Sequence, residues 1–297
     1  LRTVFLGTSA FAASVLRALA ASPHRPLLVV TRPDRPRGRG RRLSSPPVAD
    51  VARELGLELD QPASVNDEEA RERIAAVRAE AVCVCAFGAL IKEPLLSDYE
   101  MLNVHPSLLP RWRGAAPVER AIMAGDSETG VSIMRVTAGL DSGPVCARVS
   151  TPIEATDTYG TLAERLEGLG SELLIDVLDR RPDCLEQDEA GATYADKLSA
   201  ADRRLDPARS AVELDRVIRA LNPHIGAAIE LSDAERLGVW AARPIESPDP
   251  APAAGELALD GPLPVFGCTP GALELLTVQP AGKRAMAAGD WLRGRRH

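Results

Sequence analysis

Asn103-Val104-His105, two polar side chains separated by one valine and followed by Pro106, supplies the residue types for acid/base and oxyanion chemistry. In an extended strand, residues two apart project from the same face. Asn103 and His105 therefore stand side by side while Leu102 and Val104 turn into the core. Pro106 biases His105 to extended backbone and cannot donate to a ladder, which leaves the imidazole at the open end of the strand. Open strand ends are where α/β enzymes place their sites. A short Gly-Leu-Asp-Ser-Gly loop, 139–143, follows a second apolar run and can bring the carboxylate of Asp141 to the same place. An amide, an imidazole and a carboxylate can together stabilise an oxyanion and move a proton. Taken from spacing alone, the three residues fit equally well as satisfied polar groups at a strand end and in a turn.

Those side chains need a sheet to hold them. Residues 3–7 and 27–31 are apolar runs of strand length, separated by 11–21, whose apolar recurrence is helical. Helices are predicted at 47–55 and 67–79, the second opening on Asn66 as its cap with acids in the first turn. Strands follow at 81–86 and 101–105. Near-continuous apolar strands alternating with helices predict an α/β domain whose parallel sheet is covered on both faces. A helix at 117–124, a strand pair at 130–136 and 144–151, and a long amphipathic helix at 158–179 complete it. The first strand-to-helix turn, Gly7-Thr8-Ser9, fails the Gly-x-Gly-x-x-Gly pattern, and no Walker sequence is present, which speaks against dinucleotide and ATP sites.

Past residue 183 the composition turns polar and aperiodic, predicting a linker over 184–207. A helix at 210–221 and five short strand-like runs, at 225–231, 236–242, 255–259, 263–267 and 273–278, then predict a small β-barrel of the OB type. The expected organisation is an α/β domain over 1–183, the linker, and a barrel domain over 208–297.

A chain of 297 residues has room for two domains, and 45% hydrophobic with 26% charged residues is ordinary for a globular protein. No apolar run approaches the roughly 20 residues of a membrane span, and residues 11–21 follow a strand and end at Ser22-Pro23, unlike a secretion signal. A cytoplasmic location is expected. Five cysteines, odd in number and without repeated spacing, imply neither a disulfide framework nor a zinc site, and the four histidines have no metal-ligand spacing, so no metal is expected. Cys83 and Cys85 read as small buried hydrophobes.

The formal charge of −7 is unevenly spread: 32–42 holds six arginines against Asp34, and 283–297 holds five Lys/Arg against Asp290. Two basic patches on an acidic body suit local contact with phosphates; a solvated charged face is the competing reading. The arginine run interleaves Pro and Gly, which predicts a mobile loop, neither helix nor strand, of a kind that orders on RNA.

Residues 103–110 read Asn-Val-His-Pro-Ser-Leu-Leu-Pro and continue as Arg-Trp-Arg-Gly-Ala-Ala-Pro over 111–117. With the Gly-Leu-Asp-Ser-Gly of 139–143, they resemble the signature of the 10-formyltetrahydrofolate-dependent formyltransferases. The likeness runs from Val4 to Lys283 and is strongest to the branch whose acceptor is initiator methionyl-tRNA. It implies a Rossmann-like formyltransferase domain followed by an OB-like C-terminal barrel that helps hold tRNA. It also implies a cosubstrate, 10-formyltetrahydrofolate, whose formyl group passes to the α-amine of methionine. Asn103 and a protonated His105 would stabilise the tetrahedral oxyanion. Asp141 would keep His105 charged and oriented and take a proton from the attacking ammonium, directly or through water.

By the same resemblance Ser107, Leu108, Leu109 and Pro110 line the donor site, and Phe87 and Gly88 lie in the loop facing the pterin. Arg39 leads the contacts of the basic loop with the acceptor arm, joined by Arg37, Arg41 and Arg42, while Lys283 and Arg284 contact RNA from the C-terminal domain. The contacts are expected to be mainly to phosphates, since few aromatic residues beyond Trp240, Phe266 and Trp291 are candidates for base stacking. A monomer is expected.

Two departures stand out: Phe87 where relatives often carry Tyr, and Asn-Pro-His-Ile-Gly over 222–226 where Asn-Pro-Trp-Pro is common. A hydrolase releasing formate and a sugar-amine formyltransferase share the Asn, His and Asp set and remain alternatives, with the arginine loop and 113–117 favouring the tRNA acceptor. A translation-associated RNA-binding protein is the non-enzyme alternative, and it has no need of that set.

Overall fold

Five-residue strands without one exposed position need cover on both faces, and Thr3–Gly7 and Ala81–Cys85 are of this kind. They lie inside a seven-stranded sheet in the order Val145–Pro152, Glu128–Arg135, Met101–His105, Ala81–Cys85, Thr3–Gly7, Pro26–Val30, Leu59–Asp60. The computed structural model describes residues 1–37, 42–231, 235–246 and 251–295. These form two compact units, Leu1–Gly114 with Thr129–Thr151 and Ala163–Tyr194, and Ala115–Glu128 with Pro152–Leu162 and Ala195–His297.

In the first unit, Thr3–Gly7 pairs in parallel with Pro26–Val30 on one side and Ala81–Cys85 on the other, and Ala81–Cys85 pairs in parallel with Met101–His105. The chain therefore leaves the central strand in opposite directions, creating a crevice at the carboxyl ends where such folds bind ligands. The sheet is mostly parallel as expected, with Glu128–Arg135 running antiparallel to Met101–His105 and making it mixed. An apolar run carries no mark of its direction, and an antiparallel neighbour can be reached without the helical crossover that parallel pairing requires.

The helices begin near where their caps and periodicity place them. Ser9 caps Ala10–Ala20 by accepting from the Ala12 amide at 3.2 Å. The cap expected at Asn66 is instead Asp67. Asn66 takes another role, donating to Leu90 O at 2.9 Å and accepting from the Lys92 amide at 2.8 Å. On Tyr159–Arg180, a Cβ added at Gly170 would lie 3.0 Å from Val104 Cγ1 and 3.3 Å from Val131 Cγ1. That helix therefore covers the Val104 face of the sheet, and Asn103 and His105 occupy the other.

Cys83 and Cys85 are buried core residues, and burial pushes the Cys83 thiol up to about 12. The cysteine spacing implied no disulfide framework, and the structure corrects this with one disulfide, Cys146–Cys184. Val145 and Leu185 exchange both backbone hydrogen bonds, at 2.8 and 2.9 Å. Their neighbours Cys146 and Cys184 are therefore the next, closer cross-strand pair, with Cα atoms 3.9 Å apart. A separation of 38 residues hid this from spacing arguments.

The second unit is built on an antiparallel sheet in the order Ala227–Glu230, Arg236–Ile245, Ala272–Pro280, Val265–Gly267, Leu257–Ala258. All five expected strands are present, and Met286–Ala287 adds a sixth on Ala272–Pro280. Ser210 and Glu213 form a reciprocal capping box on Ala211–Ala220, whose Leu214, Val217 and Ile218 join Leu273, Leu275 and Phe266 in the core. Phe266 and Trp291 are 2% and 8% exposed, which removes them as stacking platforms. The departure at His224 is locally satisfied: its ring stacks on Tyr159 at 3.8 Å, and Nε2 lies 3.0 Å from Glu119 Oε1. Among the described residues no helix is long and apolar enough to cross a membrane.

One carboxylate ties this unit to pH. Burial disfavours ionisation of Asp202, but hydrogen bonds from Arg120 and from Ser199 outweigh it and hold the carboxyl at about 2, below the ordinary 3.8. A depressed folded value contributes stability that is fully present above the unfolded value and lost as pH falls through the folded one. Urea unfolding between about pH 4 and pH 2 should therefore show a smaller pH dependence in Asp202→Asn than in the parent protein.

Candidate active site

His105 closes its strand 4% exposed, with Nε2 2.9 Å from the Trp112 carbonyl. A carbonyl can only accept, so Nε2 carries the proton. Nδ1 is left facing Asp141 Oδ2 at 3.7 Å, an ion pair when the ring is protonated. Asn103 is half-buried on the same face, and its side-chain amide has no hydrogen-bond partner among the described residues. Asp141 is held by the Gly114 amide, which donates to Oδ2 at 2.9 Å. The amide, imidazole and carboxylate expected from the sequence are thus placed on the elements expected, with His105 and Asp141 adjacent.

The carbonyl that sets the tautomer of His105 is itself held in place. Trp112 has φ 62°, and its amide donates to Thr193 Oγ1 at 2.9 Å. Arg113 N donates to Thr193 O at 2.8 Å, so one threonine holds two consecutive residues of this turn. The Arg111 guanidinium lies over the Trp112 ring, 4.4 Å from its centroid. Ser132, the cross-strand partner of His105, donates to Ser107 O at 2.7 Å and accepts from the Leu109 amide at 3.1 Å. Arg113 is 2% exposed and pairs with both carboxylate oxygens of Glu189, at 2.9 and 2.7 Å. Sequence reasoning missed Ser132, Thr193 and Glu189. Only Ser132 left a signal, its same-parity position on the strand that would pair with His105.

The residues expected around a donor molecule divide by exposure. Leu108 and Pro110 are partly exposed, and Gly88 is exposed with φ 71°. Ser107 is fully buried and its hydroxyl donates to Arg111 O at 2.6 Å. Leu109 packs on Met134 and Val145, and the Phe87 ring lies in the core with Val84 and Ile91. These three can meet a ligand chiefly through backbone atoms. Thr8 Oγ1 donates to Phe87 O at 2.7 Å, which ties the Phe87–Gly88 loop to the end of the central strand.

The arginine run is corrected from an irregular loop to a two-stranded antiparallel ribbon, Arg35–Arg37 with Arg42–Ser44, in which Arg37 faces Arg42. Proline within it is tolerated because both strands are edges. Arg39 and Arg41 lie outside the described residues, as do the side chains of Arg37 and Arg42. The ribbon's base is anchored: Gln61 donates to Arg32 O at 3.0 Å and to Asp34 Oδ1 at 2.8 Å, and accepts from Arg53 at 2.8 Å. In the second unit Lys283 and Arg284 are exposed in the turn after Ala272–Pro280, without an ion pair among the described residues. Among those residues, no group of three His, Cys, Asp or Glu could hold a metal ion.

Comparison with known proteins bears on the fold and on the family. Residues 1–178 match the family model described as formyl transferase, and 197–296 match formyl transferase, C-terminal domain. The chain is 44% identical over 299 residues to the methionyl-tRNA formyltransferase of Methylococcus capsulatus, covering 98% of this chain and 96% of that one. Among solved structures, the N-formyltransferase from Helicobacter canadensis, in complex with folinic acid and dTDP-3-aminofucose, superposes with TM-score 0.67 at 13% identity, covering 94% of this chain and 99% of that one. HypX from Aquifex aeolicus in complex with tetrahydrofolic acid superposes with TM-score 0.65 at 17% identity, covering 98% and 46%. At these identities the two structures bear on the fold alone.

Proposed function

This chain belongs to the formyl transferase family and functions as a methionyl-tRNA formyltransferase dependent on 10-formyltetrahydrofolate, and from that premise we propose how its residues divide the reaction. The carrying observation is the open strand end where the Asn103 amide, without a hydrogen-bond partner among the described residues, shares a face with His105, whose Nδ1 is turned to Asp141 at 3.7 Å. The methionine amine attacks the formyl carbon, forming a new C–N bond and a tetrahedral oxyanion, and the bond from that carbon to the folate nitrogen then breaks. Asn103 and protonated His105 donate to the oxyanion, each donor contributing ~2.7–4 kcal/mol to the transition state. The fixed Nε2 contact leaves Nδ1 for this work. Asp141 orients the ring and receives the proton that the attacking ammonium must lose, directly or through a water. The folate nitrogen takes a proton as it leaves.

The donor is held beside Leu108, Pro110 and Gly88, with Ser107, Leu109 and Phe87 shaping the same wall from behind. Catalysis is assigned to 1–183 and RNA support to 208–297, joined by the linker 184–207, whose first residues fold back onto the catalytic turns. Arg37, Arg39, Arg41 and Arg42 on the ribbon, and Lys283 and Arg284 on the C-terminal turn, contact phosphates of initiator tRNA. The enzyme is proposed to act in the cytoplasm, and as a monomer because one chain carries every residue named. If about four phosphates are engaged, tRNA affinity should fall by roughly 10²-fold between about 50 and 200 mM salt, and a flat salt response would remove the basic residues from the account. The functional test is incubation with 10-formyltetrahydrofolate and initiator tRNA charged with labelled methionine. Formylmethionyl-tRNA is expected; release of formate with no labelled product would assign the site to hydrolysis or to another acceptor.

A further inference from the structure

Asp141 has φ 45°, a left-handed conformation that residues with side chains rarely adopt and that persists only where its surroundings hold it. What holds it comes from the aperiodic stretch after the helix Tyr159–Arg180. Gln187 is 8% exposed, and its Nε2 donates to Asp141 O at 2.9 Å and to Gly143 O at 2.7 Å, bracketing the turn. Its Oε1 accepts from Arg113 Nε at 3.0 Å and Nη2 at 2.9 Å. Both amide hydrogens and both oxygen lone pairs are therefore engaged. The contacts close a ring: Arg113 grips Gln187, Gln187 grips the Asp141 backbone, and the Asp141 carboxylate accepts from Gly114, the residue after Arg113. The same segment is anchored to the strand Val145–Pro152 by the Val145 and Leu185 backbone pair, so Gln187 approaches from a fixed position.

We propose that Gln187 is a positioning residue for the reaction: its carboxamide holds the left-handed turn at Asp141 that sets the carboxylate opposite His105 Nδ1. The inference rests on the role assigned to Asp141 above. Only a primary amide meets the geometry, because two carbonyls must be given hydrogens on one side while a guanidinium is accepted on the other. Glutamate keeps the Arg113 contact and sets a carboxylate against two carbonyl oxygens. Methionine matches the shape and keeps neither contact.

The test uses Gln187→Glu, Gln187→Met, Asp141→Asn and the double variant Asp141→Asn/Gln187→Met in the full chain. A misplacement of about 1 Å costs about 10²-fold, so kcat for both Gln187 variants should fall roughly 10- to 100-fold, with KM for tRNA and folate within about twofold. Thermolysin cleavage before Leu140, 63% exposed in that loop, should accelerate in both at temperatures well below each variant's own Tm, which the lost hydrogen bonds also lower. The double variant should be no slower than Asp141→Asn, because the turn then positions nothing catalytic. Parent-like kcat and cleavage in either Gln187 variant, or losses that multiply in the double variant, would overturn the proposal. Should Gln187→Met fail to fold, Gln187→Glu, which keeps the Arg113 pair, carries the same test. Parent-like kcat in Asp141→Asn would instead overturn the role of Asp141 and the proposal with it, and the cleavage rates tell that failure apart from a turn Gln187 does not hold.

Discussion

His105→Ala should lower kcat for formyl transfer by about 10²–10³-fold, the loss measured when one oxyanion donor is removed elsewhere, while tRNA affinity stays near the parent value. The reasoning is local. The ring's Nε2 is engaged by the Trp112 carbonyl at 2.9 Å and its Nδ1 faces Asp141 at 3.7 Å, so no part of it is placed to anchor the distant body of the tRNA. The variant also removes the partly buried hydrogen bond to the Trp112 carbonyl, which costs about 0.5–1.5 kcal/mol of stability and lowers Tm by a few degrees. Steady-state kinetics and a melting curve separate the effects: chemistry appears in kcat at temperatures where the variant is folded. A variant with parent kcat and weakened tRNA binding would move His105 from chemistry to recognition.

Asp141→Asn should cost a further distinct function, proton acceptance. Asparagine preserves size and can still accept from the Gly114 amide through its oxygen, so the 2.9 Å contact that places the side chain is kept. What is lost is the charge opposite His105 and the base for the attacking ammonium. A positioned acid or base contributes about 10²–10⁴-fold, and the loss should fall on kcat, with KM for both substrates little changed. A rise in KM with kcat intact would instead mean that Asp141 binds a substrate group and takes no proton.

The parts of this site legible in the sequence are those that obey a short-range rule. The two-residue period of a strand placed Asn103 and His105 on one face and Val104 on the other, and Gly170 against Val104 shows which face the helix covers. Glycines around Asp141 marked a turn, and that turn holds the carboxylate with φ 45°. The helix Ala211–Ala220 and its Ser210 cap were equally local. What stayed hidden depends on a partner far along the chain. Thr193, Gln187 and Glu189 sit in a polar stretch with no period, and each matters only because the backbone at 112–114 or 141–143 comes to meet it. Cys146 and Cys184 share this property. The direction of Glu128–Arg135 was hidden for a different reason, since burial on both faces looks the same whichever way a strand runs. Asn66 shows local chemistry losing to tertiary demand: a good cap residue is drawn away to satisfy Leu90 and Lys92.

In the proposed mechanism Asn103, His105 and Asp141 act as one unit on the transition state of formyl transfer to methionyl-tRNA. Single-turnover transfer rates with both substrates saturating, for Asn103→Ala, His105→Ala and Asp141→Asn alone and combined, decide this. Residues that work as a unit give losses that do not multiply. The triple variant should therefore be within about tenfold of the slowest single one, with tRNA and folate affinities close to the parent's. Losses that multiply across the three, or that appear as weakened binding while the saturated rate persists, would contradict it.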